Sequence, residues 1–247
     1  MKADAQTMSF FDLRDALAQP GCAVCRLKAD SADRFLDGLL YESVNDPGIR
    51  REVSQARGFC YLHAWGLVRA GRSLGVAILL RDVLRSTLAD LERTPFRAPA
   101  LLSVRRVQEA LDTRQPAAAT AELVARLEPQ APCPACVWAE KMEGIYVEGL
   151  LKHLLGQEGL LAAYESSDGL CLPHLRRALA HMRDERAFEA LVAAQRAIWE
   201  RLAGDLSEFI RKNDHRFHHE PWGEERDAWL RAVAALAGAR PDLEPLR

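Results

Sequence analysis

The sequence has no apolar stretch long enough to cross a bilayer. Runs such as Val76–Leu80 fall far short of the roughly 20 residues that a spanning helix needs. Met1–Pro20 interleaves Lys2, Asp4, Asp12, Arg14 and Asp15 with short apolar pieces, so the continuous core of a secretory signal is missing too. A soluble, cytoplasmic protein is expected. Charge of one sign is also lacking: 33 basic residues face 35 acidic ones, for a net charge of −2. No overall field therefore draws the chain to nucleic acid or an anionic membrane. Lysine is scarce, with only Lys2, Lys28, Lys141, Lys152 and Lys212, and arginine supplies the other basic residues. That bias is compositional and not a recognition signal. The chain contains no Gly-x-Gly-x-x-Gly or Walker phosphate loop, which removes support for nucleotide binding. It contains no Glu-x-x-His pair, which sets aside carboxylate-bridged di-iron bundles.

Strict apolar/polar alternation is missing as well, while Ala, Leu, Arg and Glu dominate; the predicted fold class is all-α. Helices are expected over Phe10–Leu17, from Cys22 to the Asn45-Asp46-Pro47-Gly48 turn, and over Ile49–Ala56 and Tyr61–Ala70. After a bend at Gly71–Gly75 another should run to Arg93. Thr94–Ala131 is punctuated by prolines and reads as a linker with two weak helical stretches, Ser103–Asp112 and Ala117–Leu127. A helix through Leu155, a helix from Pro173 and a long helix over Asp184–Lys212 follow. A tail ends in Glu224–Ala237, where Trp229, Val233 and Leu236 share a face.

Only six cysteines occur in 247 residues, well below the ~8–10% of a disulfide scaffold, so in a reducing compartment they stay thiols or bind metal. Their placement is the strongest signal in the chain. Cys22, Cys25, Cys60 and His63 recur, each 111 positions later, as Cys133, Cys136, Cys171 and His174. Each set reads Cys-x2-Cys, 34 residues, Cys-x2-His. Gly38-Leu39-Leu40 and Gly58 recur at the same offset as Gly149-Leu150-Leu151 and Gly169, which points to duplication and a pseudo-symmetric helical bundle. The expected organisation is a first Cys3His unit over 1–94, a linker over 95–131, a second Cys3His unit over 132–212, and a unique tail over 213–247.

A Cys3His set fills the tetrahedral shell that zinc prefers. Residues three apart on a helix share a face, so each pair forms a two-pronged clip. All four clips lie at expected helix starts, where unpaired N–H groups favour thiolate. Pro134 within Cys133-Pro134-Ala135-Cys136 suits a first helical turn. Taken in order, the clips predict one metal on Cys22, Cys25, Cys60 and His63 and another on Cys133, Cys136, Cys171 and His174, two zinc ions per chain. An iron–sulfur cluster also takes thiolates, and a thioredoxin-like Cys-x-x-Cys remains a further reading.

Other signals carry less. Gly71-Arg72-Ser73-Leu74-Gly75 has the spacing of a hydrolase nucleophile elbow but lacks the preceding strand. His215, His218 and His219 read as a solvated turn, His153 and His181 as ordinary helix residues. Trp65, Trp138, Trp199, Trp222 and Trp229 are expected to anchor the core. Tyr41-Glu42-Ser43-Val44-Asn45-Asp46, Gly58-Phe59-Cys60-Tyr61-Leu62-His63, Gly169-Leu170-Cys171-Leu172-Pro173-His174 and Glu220-Pro221-Trp222-Gly223 carry a resemblance. With the Cys-x-x-Cys pairs, they are similar to an uncharacterised bacterial domain-of-unknown-function family. The resemblance implies a soluble bacterial protein with paired metal-type motifs and no activity to transfer. Two functions lead, with an enzyme on an open metal site as a third, weaker option: a non-catalytic binding or scaffold protein with structural zinc and a protein partner, or a redox or electron-transfer protein. The latter would use two iron–sulfur clusters or redox-sensitive metal thiolates.

Overall fold

In the computed structural model, residues 8–93, 118–156 and 158–239 are described. Among them no strand occurs, and the all-α expectation holds. Helix α1 (Met8–Leu17) buries Phe10, Leu13, Ala16 and Leu17, the one-sided spacing of an amphipathic helix. Helix α2 (Ala23–Gly38) continues into a π-helical turn, Leu39–Ser43. Helix α3 (Pro47–Gln55) has Pro47 at its first turn and Asp46 as N-cap, whose carboxylate accepts from the Gly48 and Ile49 amides at 2.7 and 3.0 Å. Helix α4 (Tyr61–Trp65) stops at Gly66, short of the expected Ala70. A Cβ at Gly66 would come within 2.9 Å of Leu36 Cδ1, so the chain turns against α2 there.

Helix α5 (Ser73–Arg93) follows, and its first residue is the serine of the elbow-like motif. Helix α6 (Ala118–Leu127) matches the second weak stretch of the expected linker; Ser103–Asp112 lies outside the described residues. Then come α7 (Pro134–His153), the short α8 (Leu161–Glu165), α9 (Leu172–His181) and α10 (Glu185–Lys212). Asp184 caps α10 by accepting from the Ala187 amide at 2.7 Å. A 3-10 turn, Glu224–Asp227, leads into α11 (Ala228–Ala237).

The chain forms two compact units, Met1–Ser31 with Ala139–Arg247, and Ala32–Trp138. These cut across the boundaries expected from the 111-residue offset. In the first unit Leu13, Val24, Leu150, Leu154, Tyr164 and Leu191 form a core with no more than 1% exposure at any of them. In the second, Leu36, Leu39, Leu40, Leu67 and Leu79 surround Ala135. The expected linker contributes structure here. The Gln130 amide donates to the Gln55 carbonyl at 2.8 Å, and Arg57 donates to the Arg126 carbonyl and to Asp90.

Of the five tryptophans only Trp199 packs against a core, partly buried on the first one. Trp65, Trp138, Trp222 and Trp229 are 37–65% exposed. Trp138 stacks on Phe35 and Trp222 lies against Phe209, each covering one face only. The expected Trp229, Val233 and Leu236 face of α11 is exposed, because α11 turns small Ala228 inward instead. Leu191, with no exposed surface, fills the first core from the second turn of α10. Leu191→Ala should cost about 2–5 kcal/mol in urea unfolding.

Candidate metal centres

All four clips share one local construction. Cys22, Cys60, Cys133 and Cys171 each stand immediately before a helix, and their carbonyls accept from Arg26, Ala64, Val137 and Leu175 at 2.8–3.2 Å. The second ligand of each clip then falls in the first turn, on the same face. Cys60 and Cys171 hold nearly the same backbone, φ −62°, ψ 165° and φ −68°, ψ 160°. Gly58 and Gly169, at φ +97° and +69°, make the left-handed turn that leads into them.

The clips meet crosswise. Cys22 and Cys25 come together with Cys171 and His174, and Cys60 and His63 with Cys133 and Cys136. In each group four ligand atoms lie within 4.8 Å of one another and could hold a metal ion. This corrects the in-order pairing. Helix α2 carries the chain roughly 24 Å from the first clip at about 1.5 Å per residue. The return segment does not run back; Leu67 packs with Leu36, Leu39 and Leu40 at the far end of α2. There the Gln55–Gln130 hydrogen bond brings in the chain that leads to Cys133.

In the first centre, His174 Nδ1 is 3.4, 3.3 and 3.1 Å from the Sγ atoms of Cys22, Cys25 and Cys171, and Cys25 Sγ is 3.6 Å from Cys171 Sγ. In the second, His63 Nδ1 is 3.2, 3.6 and 3.3 Å from those of Cys60, Cys133 and Cys136, and Cys60 Sγ is 3.6 Å from Cys136 Sγ. Both centres therefore present the same ring nitrogen. A single tetrahedral ion with bonds of about 2.3 Å to sulfur and 2.0–2.1 Å to nitrogen has ligand–ligand edges of about 3.5–3.8 Å. The sets fit that size closely.

The first centre is enclosed: Cys22, Cys171 and His174 are 6%, 1% and 6% exposed. Hydrogen bonds from Cys171 and Cys25 outweigh burial and, with His174, hold the Cys22 thiol far below its usual range. The same bonds to Cys22 and Cys25, reinforced by burial, hold Cys171 far above it. Burial opposes a charged His174 ring, but its bonds to Cys22 and Cys25 prevail and push it up to about 10. At the second centre burial and the Cys60 contact push Cys136 up to about 12. Burial likewise opposes the Cys60 thiolate, yet amide hydrogen bonds from His63 and Leu62 and contacts to Cys136 and Cys133 lower its pKa. Without metal, each set thus shares protons among close ligands, and a bound cation must displace them.

Glu143 was not singled out in the sequence. Its buried carboxylate meets His174 Nε2 at 3.3 Å and is held by Lys28 Nζ at 2.5 Å and Arg177 Nη1 at 2.7 Å. Burial works against its charge, but the Lys28 hydrogen bond and the charges of Lys28, His174 and Arg177 lower its pKa. Because the folded-state value is depressed, its stabilisation is present above the ordinary carboxylate range and is lost as pH falls through the lowered value. The carboxylate orients the imidazole that would bind metal. The available signal was an acidic residue seven positions after Cys136, on one face of the same helix. That it serves the other centre was not visible. Two further ties close the first centre. The Gly21 amide donates to Asp168 Oδ2 at 2.6 Å, and the Ala239 amide approaches Cys25 Sγ at 3.4 Å.

Residues 1–242 match the family described as a family of unknown function, DUF6062. The chain belongs to that family. It is also similar to an uncharacterized 23.9 kDa protein in xynA 3'region of Caldicellulosiruptor sp. (strain Rt8B.4). The two are 26% identical over 223 residues, covering 89% of this chain and 96% of that protein. No solved structure matches. His215, His218 and His219 lie outside both ligand groups; His215 is exposed and sits 3.2 Å from Asp214.

The crossed arrangement has a direct test. The double variant Cys60→Ser/Cys133→Ser should keep one metal per chain in elemental analysis, whereas in-order pairing would lose both. Glu143→Gln should weaken metal binding at the first centre about 10–100-fold in a chelator competition while leaving the second unchanged.

Proposed function

We propose that this is a soluble, cytoplasmic bacterial protein in which two zinc ions, one within each unit, hold the helices together and that its role is binding or scaffolding, not catalysis. The observation that carries this reading is that each group brings four protein ligand atoms within 4.8 Å of one another, enough to fill a tetrahedral shell from the protein alone. Catalytic zinc keeps a position open for water or substrate. Zinc is favoured over an iron–sulfur cluster by the ligand spacing. A cluster shares its ligands among two or four irons and spreads them around its outside, while here each imidazole nitrogen lies 3.1–3.6 Å from three sulfurs and all four atoms of a group fall within 4.8 Å. Cys25 and Cys60 would each carry one bond of such a shell, beside their clip partners Cys22 and His63. Zinc would supply cross-links between segments distant in sequence, in a chain that has no disulfide among its described cysteines.

A scaffold needs a partner, and the exposed Trp229, Val233 and Leu236 of α11 support a protein surface as that partner. No described helix is long and apolar enough to cross a membrane, which agrees with a soluble role.

Protein purified without oxygen or added metal should carry near two zinc per chain with no visible absorbance. Iron with sulfide and a brown colour would replace this reading with electron transfer. Absence of any metal would overturn it. Lowering the pH should release the ions, since protons compete for every thiolate and imidazole, and metal retention against pH checks this.

A further inference from the structure

Resting on the metal-binding reading above, we propose that the two centres have different chemistry. The Cys60, His63, Cys133 and Cys136 centre is a peroxide-responsive site that gives up its ion as Cys60 and Cys136 form a disulfide, while the other centre keeps its ion.

Access is the first ground. Three of the four ligands of the first centre are 1–6% exposed, whereas all four of the second are only half-buried. Tyr61, next to Cys60, is 84% exposed, and Val137, next to Cys136, is 49% exposed. A small polar oxidant thus reaches the second set of sulfurs from solvent.

Anchorage is the second. His174 lies on a ten-residue helix that buries His174, Leu175 and Ala178, but His63 lies on the five-residue α4, none of whose residues is buried. With no side chain of its own buried, α4 opens locally more easily than the ten-residue helix that carries His174. The outer ties of the first centre are also not encoded at the second. At the 111-residue offset, Glu143 becomes Ala32, Lys28 becomes Ala139 and Arg177 becomes Gly66. Gly21 becomes Pro132, which has no amide hydrogen to donate, and Asp168 becomes Arg57, which instead binds Asp90 at 2.6 Å and Ser86 at 3.1 Å.

Reach is the third. Cys60 and Cys136 Sγ are 3.6 Å apart, and closing to the roughly 2.05 Å of a disulfide asks only for a small shift of α4, which buries no side chain. The Cys60 thiolate attacks one peroxide oxygen; an S–O bond forms, the O–O bond breaks and hydroxide leaves. The Cys136 thiolate then attacks the Cys60 sulfur, forming S–S and breaking S–O, and a second hydroxide leaves. Two thiolates have lost two electrons, peroxide has become two waters once two protons are taken up, and loss of two of four donors frees the ion.

The test uses the full chain, zinc-loaded and counted by elemental analysis before hydrogen peroxide is added. Release is followed with a chromogenic chelator, and thiols are alkylated at intervals for peptide mapping. One ion per chain should leave at least about tenfold faster than the other, with a Cys60–Cys136 disulfide in the first phase and Cys22, Cys25 and Cys171 still alkylated. Release of both ions at one rate, or any other first disulfide, would overturn the proposal. A protein that carries no metal at the start would instead overturn the reading beneath it.

Discussion

Convergence of two helix-start clips on a common point is the constraint from which the rest of the structure follows. Each centre joins an early clip to a late one: Cys22 lies 152 positions from His174, and Cys60 lies 76 from Cys136. Contacts so remote in sequence are entropically costly to close. In each unit they are backed by an apolar core, around Leu150, Tyr164 and Leu191 in one and around Leu36, Leu40 and Leu79 in the other. Thiols and an imidazole this close together cannot all carry their ordinary charges, and without a cation they must share protons. A bound cation would resolve that conflict, and the stability of the fold would then be linked to occupancy of the centres.

The two ligand sets are alike and their surroundings are not. At the first, Glu143 fixes the imidazole, Asp168 ties the loop before Cys22, and the chain beyond α11 passes over Cys25. Such outer contacts commonly decide how firmly a metal is held. At the second, a short helix without a buried residue brings two of the four ligands. Equal ligands in unequal frames would hold their ions unequally, and the proposed division between a structural and a responsive centre rests on that difference.

Much of this was legible in the residues. Helical class followed from composition and the absence of alternation, and the Asp184 and Asp46 caps and the Gly58 and Gly169 turns all act where local chemistry places them. The eight ligands were legible because Cys-x2-Cys and Cys-x2-His at helix starts are local patterns, complete within one turn. Four of the five tryptophans were misjudged because side-chain type says what can be buried, not which face a neighbour covers. The Trp229 face of α11 stayed open for that reason.

Sequence by itself determined the clips, their backbone geometry and their preference for a tetrahedral, thiolate-rich metal shell, since each depends on residues within a few positions of one another. Only the tertiary structure decided which clips meet, that Glu143 stands behind His174, and that one centre is enclosed while the other is shallow. Those outcomes depend on where α3 and α4 pack after α2. That is set by burial of Leu36, Leu39, Leu40 and Leu67, an interaction among distant residues that no local spacing encodes.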